Sequence, residues 1–199
     1  MHSFVALLIL VTVSHAASVD RFSVPICEQR TMMKHRDREN AVLAHNIERK
    51  ELARGFFGSY PTASNMSYLT YNCDLENEAY RLAKHYCKNE SQSIPGYEGI
   101  NRAIIHNRAI GNRVAAINFQ YEVQQWTKTA HPYNDSNGLK PSYHEESELP
   151  FFVVMNGPVT DFACAYHVCG SEDATTKDYS EDDEFPTPKV SLVCQYGRP

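Results

Sequence analysis

Apolar residues in the first half of the chain recur at helical spacing. In RDRENAVLAHNIERKELARGFF, residues 36–57, Val42, Leu43, Ile47 and Phe57 fall near one stripe with charges between them, which predicts a helix. Gly55 and Gly58 close it, as glycine favours a helix C-terminus. YPTASNMSYLTYN, residues 60–72, lacks any such period and is expected to be a loop. In CDLENEAYRLAKHYC, residues 73–87, Leu75, Ala79, Leu82 and Tyr86 line one face of a second helix, and Asp74 is placed to cap its first turn. ESQSIPGYEGIN, residues 90–101, is a Pro/Gly loop. A third helix is expected from Asn112 to Ala130, with Val114, Ile117, Tyr121 and Trp126 on its buried face, although β-branched residues fit a helix less well.

The period changes in the second half. HPYNDSNGLKPSYHEESELP, residues 131–150, is rich in turn formers and predicts an exposed connector. After it, the apolar run 151–155, the alternating FACAYHVC and the segment KVSLVCQY predict strands. Helices first and strands last imply an α+β layered domain rather than repeats or a βαβ fold.

The 199-residue chain opens with an apolar stretch, Phe4 to Val13, followed by the small residues Ser14 and Ala16. That is the pattern of a secretory signal peptide, although its n-region offers no Lys or Arg. Cleavage near Ala16 would leave an N-terminal arm at 17–36 and a single domain at 37–199. Ten apolar residues fall short of the roughly 20 that span a bilayer, and the tail LVCQYGRP is not a lipid-anchor signal. The expected location is therefore extracellular, with no membrane span.

Six cysteines, Cys27, Cys73, Cys87, Cys164, Cys169 and Cys194, favour three disulfides in that setting, and their spacing alone leaves every pairing open. None has the CxxC spacing of a structural zinc site. Sequons at Asn65, Asn89 and Asn134 agree with a secretory route. Residues 171–184 carry −6 of a net charge of −5, so the rest of the chain is close to neutral. This is expected to be a solvated loop; it lacks the Asp and Gly spacing of an EF-hand. Without a basic stripe elsewhere, nucleic-acid binding is not expected.

Several segments taken together carry a family likeness. AHNIERKELARG, MSYLTYNCDLENEAYRLAKHYC, CAYHVC and LVCQYG resemble the secreted CAP superfamily of cysteine-rich secretory, antigen 5 and pathogenesis-related proteins. YNCDLENEA and the long loop after LARG are most similar to its parasitic-nematode branch of Ancylostoma-secreted and venom-allergen-like proteins. The likeness spans residues 40–197 and implies a disulfide-braced three-layer α/β/α sandwich. It also implies the pairs Cys87–Cys169 and Cys164–Cys194, leaving Cys27 for Cys73.

Members with an intact cleft carry two His and two Glu, a set able to hold a divalent metal. At the matching positions this chain has Glu90 or Ser91, then Ile100 with Glu98 two residues away, then Glu122 after the aromatic Phe119, and finally Pro150 followed by Phe151, Phe152 and Val153. Of the four groups only the helix carboxylate Glu122 is kept, so Glu122, Glu98 and Glu90 are at most a remnant cleft. A zinc site needs at least three protein ligands, so no metal, catalytic residue or cofactor is expected. His144 and His106 are expected to be exposed surface. No GxSxG elbow or HExxH motif offers another route to catalysis.

The resemblance therefore implies a secreted, non-enzymatic effector that binds a host cell-surface or plasma protein. Its most concrete form is an integrin-directed inhibitor of platelet or leukocyte adhesion, acting without an RGD sequence. Long loops at 55–66, 88–112, 131–150 and 171–184 are the candidate contact surfaces. The alternative is a carrier of sterol or fatty acid, with PFFVVM lining an apolar cavity.

Overall fold

In the computed structural model, residues 24–28, 31–89, 99–106, 109–110, 113–114, 117–130, 146–169 and 189–198 are described. Helix α1 spans His35–Ala53 and is followed by the two-residue strand β1, Thr70–Tyr71. Helix α2 spans Cys73–Lys88, strand β2 Ile100–His106, and the short strands β3, Ala109–Ile110, and β4, Arg113–Val114, pair with each other. Helix α3 is Phe119–Thr127; a 3-10 turn at Glu146–Glu148 leads into α4, Leu149–Val154; strands β5, Asp161–Val168, and β6, Lys189–Tyr196, complete the fold.

The main sheet has the order β1-β5-β6-β2, with β5, β6 and β2 antiparallel and β1 parallel to β5. Helix α2 packs on β5 and β6 from one side, while α1 meets β5 and α4 meets β2 from the other, with α3 against α1 and α4. Side chains alternate accordingly. Phe162 sits 4.4 Å, ring to ring, from His45 of α1, whereas His167, of opposite parity, faces Tyr80 of α2. This is the α/β/α sandwich, and the central strands β5 and β6 are buried along most of their length because helices cover both faces.

Three disulfides brace the layers. Cys164–Cys194 joins residues directly opposite each other in β5 and β6, Cys87–Cys169 ties the end of α2 to the end of β5, and Cys27–Cys73 ties the arm to the start of α2. Tyr166 adds a bond from its hydroxyl to the carbonyl of Met32, which ties the arm to β5.

Several elements depart from the sequence pattern. The run 151–155 belongs to a helix, not a strand: an apolar run this short suits either, and Pro150 in the first turn, where no N–H is needed, starts a helix. The segment INRAIIH, expected to be loop, is a strand, paired along its whole length with β6. Helix α3 begins at Phe119 rather than Asn112, because Asn118 caps it by accepting from the Tyr121 N–H, and Arg113–Val114 is spent in a hairpin. Its buried face is Phe119, Val123 and Trp126, with Tyr121 exposed.

Helix α2 is capped by Asn72, which accepts from the Asp74 N–H; Asp74 itself is exposed in the first turn. Leu75 and Leu82 are half-buried, and Ala79, Ala83 and Tyr86 make the closest face. Of the apolar stripe in and after α1, Val42 is buried and Phe57 packs on the core, but Leu43 is 46% and Ile47 38% exposed, and Ala41, His45, Arg49 and Leu52 also face inward. Gly55 ends that helix at φ 76°, a left-handed position where a side chain is strained.

Candidate functional site

The inward face of α1 is polar, and each polar group on it has a defined partner. Arg49, fully buried, makes six N–H···O contacts to five backbone carbonyls: Ser67, Val154, Asn156, Gly157 and Val159. It thereby ties α1 to the chain on both sides of α4, and burial pulls the guanidinium pKa down to about 10. Asn46 exchanges two bonds with the backbone of Leu69, and Glu48 accepts from Gln120 and Thr127 of α3. One turn from Arg49, His45 lies between Ala41 O at 2.8 Å and Tyr196 Oη at 2.7 Å. Burial first, then the nearby Arg49 charge, lowers its pKa to about 4.

A second buried network sits between α1, α2 and the sheet. Glu76, wholly buried, accepts two bonds from Arg38, at 2.6 and 2.8 Å, and a third from Thr31 of the arm. Tyr71 Oη lies 2.8 Å from Glu76 Oε2 and 2.7 Å from Cys164 O, and burial with the carboxylate beside it raises its pKa. An Arg and a Glu at full burial require this saturation, because an unpaired ion there would be far costlier than the pair.

Asn46 and Arg49 of the first network line a small recess, but their polar atoms are already spent on backbone partners. Among the described residues, the group closest to a metal-ligand geometry is His45 with Cys164 and Cys194, whose donor atoms lie within 4.8 Å of one another. The two sulfurs are bonded to each other, so neither is the thiolate a metal takes, and the imidazole already holds Tyr196.

Around the remnant cleft, Glu122 is half-buried in the first turn of α3, and burial raises its pKa above the usual carboxylate range. Ile100 is buried at the start of β2. Pro150 has no side-chain donor, and its carbonyl accepts from Asn101 Nδ2 at 2.9 Å, which fixes the start of α4 against β2. Glu90, Glu98, Asn134 and His144 lie outside the described residues, so only Glu122 of the three remnant carboxylates is placed. His106 is exposed at the end of β2.

What stands beside this position is an apolar groove of about 720 Å³. Phe151, Phe152 and Met155 of the α4 segment form one wall, and Leu52, Tyr60 and residues 61–65 the other. Phe151 is buried and packs at tilted angles against Tyr60 at 4.7 Å and Phe57 at 5.4 Å, which joins the two walls. Across α1 from it lies a smaller recess of about 230 Å³ with Lys50, Arg54, Met66 and Tyr68 on its rim. Phe56, two residues beyond Arg54, is 71% exposed.

The sequence pattern did not reveal Arg49, His45 or Glu76. Their signal was positional: Ala41, His45, Arg49 and Leu52 share the helical spacing of a buried face, but charges there look like a solvated one.

Comparison with known proteins gives the fold a lineage. The sequence profile of the cysteine-rich secretory protein family, CAP, matches residues 42–196. No curated protein matches at a significant level. Among solved structures, a hookworm platelet inhibitor shares 20% identity, covering 87% of this chain and 75% of its own, with a TM-score of 0.54. Na-ASP-1 has 20% identity and a TM-score of 0.58 over 85% of this chain and 38% of its own, and BmVAL-1 has 18% identity and 0.61 over 87% and 81%. At such identities the likeness is one of fold.

Proposed function

Since the chain belongs to the CAP family of cysteine-rich secretory proteins, we propose that it is a secreted protein, processed near Ala16, that acts by binding and not by chemistry. The observation that carries this reading is the α4 segment. Where relatives with an intact cleft place an imidazole, this chain starts a helix with Pro150 and follows it with Phe151 and Phe152, groups that neither ligate a metal nor transfer a proton. Glu122, uncharged over a wider pH range because it is desolvated, is one carboxylate without a matching acid or base among the described residues around it.

The partner proposed is a host cell-surface or plasma protein, with an adhesion receptor of platelets or leukocytes, such as an integrin, as its specific form. The fold shared with a hookworm platelet inhibitor motivates that choice. The contact surface proposed is the segment after α1. Exposed Phe56 and Tyr68 supply aromatic anchors, and Lys50 and Arg54 supply positive charge for an acidic rim on the partner. Oxidised, glycosylated protein incubated with surface-labelled blood cells should retain one receptor, identified by mass spectrometry. Retention that survives replacement of residues 54–68 by a Gly/Ser linker would refute this surface.

A second reading is favoured by the groove itself: its volume and its Phe151, Phe152 and Met155 wall suit a fatty acid or sterol. Delipidated protein that fails to take up a fluorescent fatty acid would exclude it.

A further inference from the structure

We propose that Asn65 carries an N-linked glycan whose first sugars roof the apolar groove, so that glycosylation decides whether Phe152 and Tyr60 meet solvent. The proposal rests on the secretory route above and on three observations. Asn65-Met66-Ser67 is a sequon, Asn65 is exposed, and the same residue lines the groove opposite Phe152 and Met155. Of the sequons placed by the structure, Asn89 instead ends α2, where its Nδ2 points to His85 O, away from any cavity wall described. Among the described residues, Asn65 is the acceptor site that joins an apolar surface.

The position of that attachment is fixed by its neighbours. Ser67 O receives two bonds from Arg49, at 3.0 and 2.8 Å, and the Ser67 N–H donates to Gly157 O. Asn65 itself lies so close to Gly157 that a Cβ there would stand 3.0 Å from Asn65 Oδ1 and 3.1 Å from its carbonyl. The glycine at 157 is what lets the 60–66 wall approach the α4 wall. A sugar on Asn65 Nδ2 therefore starts from a braced rim that itself lines the groove. A pyranose has an apolar face of C–H groups, which covers half-buried aromatic rings while its hydroxyls remain in water.

The chemistry is that of the secretory oligosaccharyltransferase. Asn65 Nδ2 attacks the anomeric carbon of a polyprenyl-diphosphate oligosaccharide, a C–N bond forms, the C–O bond to diphosphate breaks, and the amide proton leaves to the transferase base. The chain contributes the acceptor amide and the Ser67 hydroxyl that the sequon requires.

The test compares full-length protein secreted from eukaryotic cells with Ser67→Ala, which abolishes the sequon but keeps the backbone N–H and carbonyl that the Arg49 frame uses. Asn89→Gln serves as the control for glycan loss elsewhere. Glycopeptide mass spectrometry reads occupancy, and hydroxyl-radical footprinting reads solvent access to Tyr60 and Phe152. The expected result is a glycan on Asn65, and oxidation of Tyr60 and Phe152 that becomes severalfold faster in Ser67→Ala and is unchanged in Asn89→Gln. Glycan on Asn89 or Asn134 with Asn65 bare overturns the proposal and leaves secretion standing; retention of the chain inside the cell overturns the secretory reading instead. Occupied Asn65 with equal oxidation in both proteins overturns the roof. Cis-parinaric acid uptake separates the carrier reading: faster oxidation in Ser67→Ala without uptake supports the roof and refutes the carrier.

Discussion

Acidification is expected to destabilise the protein through His45 before its carboxylates titrate. The neutral ring donates from Nδ1 to Ala41 O and accepts at Nε2 from the Tyr196 hydroxyl, and a second proton would place an unpaired charge in a fully buried site beside Arg49. Burial and the nearby Arg49 hold the folded pKa at about 4, against about 6.5 in the unfolded chain. Because the folded value is the lower one, the unfolded state takes up the proton first. The stabilisation is complete above pH 6.5 and is lost as pH falls from there to 4. A shift of that size amounts to about 3 kcal/mol in full, of which roughly 2 kcal/mol disappears between pH 7 and pH 5. Chemical denaturation of the oxidised protein at a series of pH values measures this, with His45→Gln as the comparison, since Gln keeps a polar group near Tyr196 but does not titrate. The variant is expected to be less stable at pH 7 and flatter between pH 7 and 5 by about 2 kcal/mol. Equal slopes for the two proteins would refute the argument, whatever their absolute stabilities.

Arg49→Met, which removes six hydrogen bonds to backbone carbonyls, those of Val154 and Val159 among the buried ones, should lower unfolding free energy by on the order of 4 kcal/mol in urea titration, and Arg49→Lys should recover part of it. Phe151→Ala should cost about 3–5 kcal/mol because the ring is buried under Tyr60 and Phe57, whereas half-buried Phe152→Ala should cost much less and act instead on uptake of an apolar probe. Gly55→Ala combines a positive φ with a Cβ 2.9 Å from Thr62 Cγ2, so a loss of about 1–2 kcal/mol is expected in thermal unfolding. Reduction should unfold the chain cooperatively, since the loops closed by the bridges span 30, 46 and 82 residues and each contributes about 2–4 kcal/mol.

The α+β class, both long strands and the second helix were legible because their apolar periods are long and bounded by cysteines and turn formers. The pairing of the cysteines came through family likeness, which spacing could not have supplied. Short elements were not legible. Phe151 to Met155 satisfies a strand pattern and a buried helix turn equally, and only Pro150 in the first turn separates them. INRAIIH was hidden by Arg102, which reads as a solvated charge; its guanidinium in fact lies 4.5 Å from the Tyr86 ring, and its carbonyl accepts from Trp126. The polar buried residues of α1 follow the same logic: Arg49 and His45 are buried because the carbonyls of Ser67 and Val154 and the hydroxyl of Tyr196 are there to meet them, and those lie in parts of the chain that no local pattern connects. Glu122 was found at its helix position, but the groove along Phe151 and Phe152 depends on the approach of 60–66 to α4, a tertiary fact set by Gly157 and Asn65.

Binding as the mode of action is tested most directly by flow cytometry of fluorescently labelled, glycosylated protein on intact platelets and leukocytes, with Phe56→Ala and Glu122→Gln measured alongside. Saturable staining, displaced by unlabelled protein, lost in Phe56→Ala and untouched in Glu122→Gln is the predicted result. Staining that never saturates, or that depends on Glu122 and not on Phe56, would contradict it.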